Sequence, residues 1–155
     1  MHTIVTLVAK DFILLSPLVL LYVWLRLSKA KKIEAIYIGV VAAVLAVLLA
    51  VIGSRLFNDP RPFVAGHFTP YFAHGKDNGF PSDHALIAGL FAAITYVYSK
   101  RFGTLAFIIA ALIGGARVIA GIHHVIDIIA SLAFACLATF IAQLLVRRYT
   151  TKAEA

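Results

Sequence analysis

Residues 33–57 read IEAIYIGVVAAVLAVLLAVIGSRLF, with no charged side chain between Glu34 and Arg55. At a rise of about 1.5 Å per residue, such a run crosses the roughly 30 Å hydrocarbon layer of a bilayer with residues to spare. Its apolar residues are continuous rather than alternating, so it reads as a helix and not a barrel strand. Four more runs of the same character flank it: 12–27, 84–99, 102–120 and 125–146. The first extends upstream through Ile4–Ala9, across the interruption Lys10-Asp11. The expected fold is all-α: a polytopic membrane helix bundle of about five transmembrane helices, with room for a sixth, short segment over residues 1–9. A single membrane-embedded domain over 1–155 is expected.

Composition agrees. The chain is 62% hydrophobic and 14% charged, against roughly 45–50% and about 25% in ordinary soluble proteins. Its mean hydropathy is +0.95. These values exclude a disordered chain, a nucleic-acid-binding tail and a soluble globular fold, so nucleic acid is not an expected partner and membrane lipids are. No obligate protein partner is inferred. The lone Cys136 excludes an internal disulfide. The start of the chain does not read as a cleavable signal peptide.

The net charge of +7 is a matter of topology. Arg26, Lys29, Lys31, Lys32, Lys100, Arg101, Arg147, Arg148 and Lys152 all fall on one side if five spans alternate. The positive-inside rule makes that side cytoplasmic, with the N-terminus outside and the C-terminus inside. The other side carries Lys10, Arg55, Arg61, Lys76 and Arg117.

Three polar clusters share that outer side: Arg55 with Asp59-Pro60-Arg61-Pro62, then Pro81-Ser82-Asp83-His84, then Arg117 with His123, His124 and Asp127. Each has a plain reading when taken alone. Arg55 and Arg61 fit interfacial residues that snorkel to headgroups. Ser82 or Asp83 fits a helix N-cap. Arg117 and Asp127 could simply pair, which would lower the cost of charges at membrane depth. Together they read differently. His123 and Asp127 are four apart, which on a helix is one face, so the carboxylate can fix the imidazole tautomer and leave the other nitrogen as a nucleophile. His84 opens a helix, whose free N–H groups favour an anion. Ser82 adds a hydroxyl, and Arg61 and Arg117 add forked cations that match phosphate oxygens. Phosphoryl transfer needs this set: charge neutralisation, a nucleophile and a proton donor.

Arg61-Pro62, Pro81-Ser82-Asp83-His84 and Arg117-x5-His123-x3-Asp127 resemble the three signature motifs of the type 2 phosphatidic acid phosphatase superfamily, which the soluble vanadium haloperoxidases share. The resemblance spans about Arg55 to Asp127. Asp83, where many members carry Gly, and the short chain resemble the bacterial undecaprenyl-diphosphatases. The resemblance implies a metal-independent hydrolase without a cofactor, acting on a lipid phosphate. In this reading it converts undecaprenyl diphosphate to undecaprenyl phosphate during cell-wall lipid carrier recycling, from the outer face of a bacterial cytoplasmic membrane. Bacitracin resistance belongs with that role. By family roles His123 attacks phosphorus, Asp127 orients it, and His84 protonates the leaving oxygen and then assists water. Arg61, Ser82 and Arg117 hold phosphoryl oxygens. Asp83 is grouped with them, as a specificity element or only a helix cap.

Two departures from the pattern stand out. The usual Lys seven residues before the Arg of the first motif is Ser54 here, and Arg55 is six before Arg61, about 100° off in helical phase. Arg55 is carried as its replacement. The third motif opens Ala116-Arg117 rather than Ser-Arg. Phosphatidylglycerol phosphate, phosphatidate and lipid A phosphates stay open as substrates. A transporter is disfavoured by the apolar inner halves of the spans. A metal site from His123, His124 and Asp127 is disfavoured because adjacent helical histidines diverge by about 100°. Phe63, Tyr71 and Phe72 are expected in a headgroup-level aromatic belt, Gly114-Gly115 at a close helix contact, and His124 toward headgroups or a neighbouring helix. His67, His74, Lys76 and Asp77 are read as a polar loop over the site.

Overall fold

Ala9, Ile38, Ala42, Ala88, Ala110, Ala135, Ala138 and Ala142 are fully buried, while Leu14, Leu18, Val40, Val44, Val47, Ile108 and Phe140 are largely exposed. Small residues inside and large aliphatics outside is the pattern of helices that pack against each other in lipid. In the computed structural model the described residues are 2–153. Met1, Glu154 and Ala155 lie outside them, as do the side chains of 150–153, Lys152 included.

The helices are α1 (His2–Lys10), α2 (Leu15–Leu25), α3 (Lys29–Leu56), α4 (Pro62–Ala65), α5 (Asp83–Tyr98), α6 (Lys100–Ile119) and α7 (Val125–Ala153). The Lys10-Asp11 interruption is a 3-10 turn, Phe12–Leu14, and His2–Leu25 forms one apolar stretch long enough to cross a membrane. The N-terminal segment is therefore continuous with the first span rather than a sixth crossing. The third and fourth spans begin a residue or two earlier than expected, at Asp83 and Lys100; at the fourth, the Ser99 hydroxyl caps α6 by accepting from Phe102 N (3.5 Å). The fifth runs past Val146, to Ala153.

α5 is the shortest span and half of its residues are buried. Its length of about 24 Å falls short of the roughly 30 Å hydrocarbon thickness. α6 packs antiparallel to α5, and α7 runs along α3 through Ala42, Ala46, Ala135, Ala138 and Ala142. Gly114 permits the α6–α7 approach, since a Cβ there would lie 2.3 Å from Ile128. Gly115, expected to share that role, has nothing within 4 Å of the corresponding position.

The cation-rich ends gather as the topology required. Arg147 Nε donates to Glu34 (2.9 Å), and the Tyr22 and Phe102 rings meet at 5.0 Å, placing the ends of α2 and α7 beside the starts of α3 and α6. The opposite end holds α4, the long connection to α5 and the α6–α7 turn. Here Phe63 is not a belt residue. It is buried with Ala120 and Ile122, and Val5, Val64, Tyr71 and Phe72 pack on that cluster. The connection has its own apolar core, which takes Phe63 out of the belt, while Tyr71 and Phe72 pack on it and stay partly exposed.

Candidate active site

Pro62 starts α4 at its first position, where its missing N–H costs nothing, and places Arg61 at the cap with its side chain turned inward, 6% exposed. Arg61 donates from Nη1 to the Ile122 carbonyl (3.1 Å) and to His123 Nε2 (3.3 Å). Its Nε and Nη2 donate to Asp77 Oδ1 (3.3 and 3.2 Å), and Nη2 also reaches the Asn78 carbonyl (3.5 Å). Asn78 locks this arrangement. Its Oδ1 accepts from Asp59 N (2.9 Å) and Phe80 N (3.0 Å), and its Nδ2 donates to the Ser54 and Phe57 carbonyls (3.0 Å each). The end of α3, the Arg61 segment and the entry to α5 are thereby tied together.

The third motif is shaped by a turn. After α6, Gly121 takes φ +77°, and its position would put a Cβ 2.5 Å from Phe68. A residue with a side chain is strained there on both counts. Its carbonyl accepts from Phe63 N (3.1 Å) and that of Ala120 from Tyr71 N (3.1 Å), holding the turn against the connection. His123 follows, outside the helix. Asp127, the third residue of α7, reaches back so that Oδ2 accepts from His124 N (2.8 Å) and pairs with His123 Nδ1 (3.1 Å). The i, i+4 pair expected of a helix face thus forms through an N-terminal capping geometry instead.

A guanidinium can only donate, so His123 Nε2 accepts from Arg61 and its proton sits on Nδ1, facing Asp127. That leaves the Nε2 lone pair aimed at the guanidinium. Burial, with Arg117 and Arg61 nearby, holds the His123 pKa below the usual imidazole value, opposed by the bond to Asp127. The ring is neutral at neutral pH.

Ser82 stands at the cap position of α5, but its hydroxyl makes no capping bond; it is fully buried without a partner. The side-chain capping reading of Ser82 therefore fails, and its hydroxyl is a buried donor left unpaired. Ser131 Oγ lies 2.9 Å from the Ser82 carbonyl and 2.7 Å from that of Asp127, joining the second motif to the third. His84 is half-buried in the next turn, within the electrostatic reach of Arg117, Asp83 and His123. Arg117, 3% exposed, donates from Nη1 to the Ala9 carbonyl (3.0 Å) and from Nη2 to His74 Nε2 (2.9 Å), while its Nε is buried without a partner. The break after α1 explains the first contact, because a helix end leaves carbonyls without intrahelical partners.

Arg61, His123 and Asp127 are thus bonded directly, Ser82 joins them through Ser131, and Arg117 joins through His74, whose ring lies 6.2 Å from that of His123. Asp83 and Arg55 are exposed, and neither forms a hydrogen bond or ion pair among the described residues. Sequence reasoning set His74 and Asp77 in a polar loop over the site without their arginine partners, and missed Asn78, Ser131 and the bond between His124 Nδ1 and Asp59 Oδ2 (2.9 Å), which ties the part-exposed His124 to the Asp59 segment. Burial and the nearby Arg61, Arg117 and His123 lower the His74 pKa to about 4 against a raising pull from Asp77. Burial and the Asp127 charge raise that of Asp59, with His124 opposing.

Asp59, His124 and Asp127 offer ligand atoms within 4.8 Å of one another, a spacing that could hold a metal ion. His124 Nδ1 and Asp127 Oδ2 are already engaged in hydrogen bonds, and a cation drawing on Asp127 would compete with its hold on His123.

This constellation of buried arginines, imidazoles and a carboxylate lies at one end of a bundle of apolar helices. The chain belongs to the PAP2 superfamily, whose family model matches residues 34–151, and it is a membrane phosphatase of that class. It is 30% identical over 139 residues to a protein of Escherichia coli (strain K12) named "Putative undecaprenyl-diphosphatase YbjG", covering 89% of this chain and 70% of that protein. It is 34% identical over 116 residues to a lipid A 1-phosphatase of Rhizobium etli, covering 69% of this chain and 50% of the relative. Its fold is like that of Aquifex aeolicus LpxE, with a TM-score of 0.68 and 22% identity over 91% of this chain and 82% of that one.

Proposed function

We propose that this chain hydrolyses a lipid diphosphate, with undecaprenyl diphosphate as the substrate, to the lipid monophosphate and inorganic phosphate. The observation that carries this reading is the tautomer of His123: its Nε2 lone pair faces Arg61 while Nδ1–H is held by Asp127. In the first step Nε2 attacks the terminal phosphorus, the P–O bond to the bridging oxygen breaks, and the lipid monophosphate leaves with a proton from His84. In the second, water attacks the phosphohistidine with His84 taking its proton, and phosphate departs as His123 recovers its lone pair. Arg61 and Arg117 balance the charge on the equatorial oxygens and Ser82 donates to one of them.

Two features support a diphosphate. A cradle with two buried guanidiniums suits a highly charged headgroup, and the relative YbjG is named for that reaction. The concentration of Lys and Arg at the opposite end of the bundle supports a site on the outer face of a bacterial cytoplasmic membrane, with the C-terminus inside. A role in recycling the cell-wall lipid carrier follows from that substrate and side. The lipid A 1-phosphatase relative favours a second reading, hydrolysis of a lipid A phosphate.

The test is a phosphate-release panel in detergent with a chelator present, covering a polyprenyl diphosphate, phosphatidylglycerol phosphate, phosphatidate and lipid A. The expected result is turnover of the polyprenyl diphosphate at least about tenfold above the others, a difference near 1.4 kcal/mol. Preference for lipid A selects the second reading, and abolition of all turnover by the chelator contradicts the metal-free mechanism.

A further inference from the structure

The nucleophile and both guanidiniums are engaged by the protein itself. Asp77 Oδ1 accepts from Arg61 Nε and Nη2, and Arg61 Nη1 lies 3.3 Å from His123 Nε2, covering the lone pair that must attack. Three residues earlier in the same connection, His74 Nε2 accepts from Arg117 Nη2 at 2.9 Å. Arg61 has a partner for every one of its nitrogens, and a carboxylate oxygen and an imidazole nitrogen occupy donors that phosphoryl oxygens need.

Resting on the reading of this site as a phosphoryl-transfer centre, we propose that Asp77 and His74 form an internal cap. Asp77 holds Arg61 over the lone pair of His123, His74 holds Arg117, and a phosphoryl group enters only by replacing both. A tethered competitor acts at an effective concentration in the mM range, so weak anions do not displace it. A singly charged phosphodiester headgroup, the commonest anion at a bilayer surface, brings no more charge than the carboxylate it must replace. A diphosphate end brings more, and its arrival frees His123 Nε2 as Arg61 turns to the phosphoryl oxygens. Asp77 itself is 71% exposed, and among the described residues its side chain is anchored only through Arg61, which lets it leave without disturbing Asn78 or the helices.

The experiment compares the native protein, Asp77→Asn and Asp77→Glu in detergent micelles. Inorganic phosphate is the binding probe, and diethyl pyrocarbonate, which acylates neutral imidazole, is the probe of His123, with labelling resolved by mass spectrometry. Asp77→Asn is expected to bind phosphate about tenfold more tightly and, without phosphate, to label at His123 several-fold faster. Asp77→Glu, which keeps the charge on a flexible arm, is expected to stay within threefold of native on both measures. Phosphate affinity unchanged or weakened in Asp77→Asn, or His123 labelled at the native rate, overturns the cap. Neither readout needs lipid or turnover. If no lipid phosphate is hydrolysed while phosphate binding tightens, the substrate reading fails and the cap stands; the converse result removes the cap alone.

Discussion

His123→Ala is expected to slow phosphate release from a lipid diphosphate by at least about 10⁴-fold, the scale on which loss of a covalent nucleophile acts. The argument is geometric. His123 is 2% exposed, its Nδ1–H is held by Asp127, and its Nε2 faces the Arg61 guanidinium; His74 also turns Nε2 to a guanidinium, that of Arg117, but has no carboxylate holding its other ring nitrogen among the described residues. The fold should survive. Asp127 keeps its bond to His124 N and Arg61 keeps the Ile122 carbonyl and Asp77, leaving a cavity cost of about 2–3 kcal/mol. Steady-state phosphate release, with gel filtration and circular dichroism in detergent, separates the two effects. The native enzyme carries a matching pH signature. Because burial and the two arginines lower the His123 pKa, the reactive neutral ring persists below the ordinary value of about 6.5, and the acidic limb of kcat/KM should lie under that pH. An acidic limb above neutrality, or a His123→Ala variant within tenfold of native, contradicts the assignment.

Asp127→Asn is expected to lower kcat by about 10³–10⁴-fold, the loss seen when a tautomer-fixing carboxylate becomes an amide. Asp127 Oδ2 serves two donors at once, His123 Nδ1–H and His124 N–H. Because both donors share that oxygen, an amide that puts its oxygen there keeps both bonds but loses the negative charge that balances His123 as it takes the phosphoryl group. An amide that puts its NH2 there opposes His124 N–H and forces the ring proton onto Nε2, where it meets the N–H of Arg61. Substrate affinity depends on the arginines and should change little, so a kcat loss with KM within about threefold is the signature. A variant that loses KM and kcat together, or recovers with added divalent metal, would instead favour a ligand role for the Asp59, His124 and Asp127 group.

Much of this could be read from residue order because a bilayer imposes strict rules. The run from Ala35 to Ser54 has one solution, and alternation of the spans places Arg61, Ser82 and Arg117 at one end before any chemistry is considered. The His123–Asp127 spacing pointed to the right pair for a reason that needed amending: His123 precedes α7, and Asp127 meets it while capping that helix. The internal contacts of the connection 66–80 were not legible, although His74 and Asp77 were read as lying over the site. The connection has no periodicity, so nothing announced that His74 reaches Arg117 or that Asn78, within an ordinary turn sequence, bonds four backbone groups. Phe63 reads the same whether it faces headgroups or a small protein core, and only the fold of the connection decides. Ser131 looks like a stray hydroxyl in an apolar helix until α5 is placed beside it. The pairing of His124 with Asp59, 65 residues apart, leaves no local trace.

The central claim is that a phosphoryl group passes through His123. The most direct measurement is rapid acid-free quenching of the purified protein during turnover of a polyprenyl diphosphate labelled with ³²P in its terminal phosphate, followed by peptide mapping. The expected result is one labelled peptide, alkali-stable and acid-labile as a phosphoramidate is, with the label on His123 and absent from His123→Ala. Turnover that proceeds with no labelled protein at any time, or with the label on His84 or His74, contradicts the account.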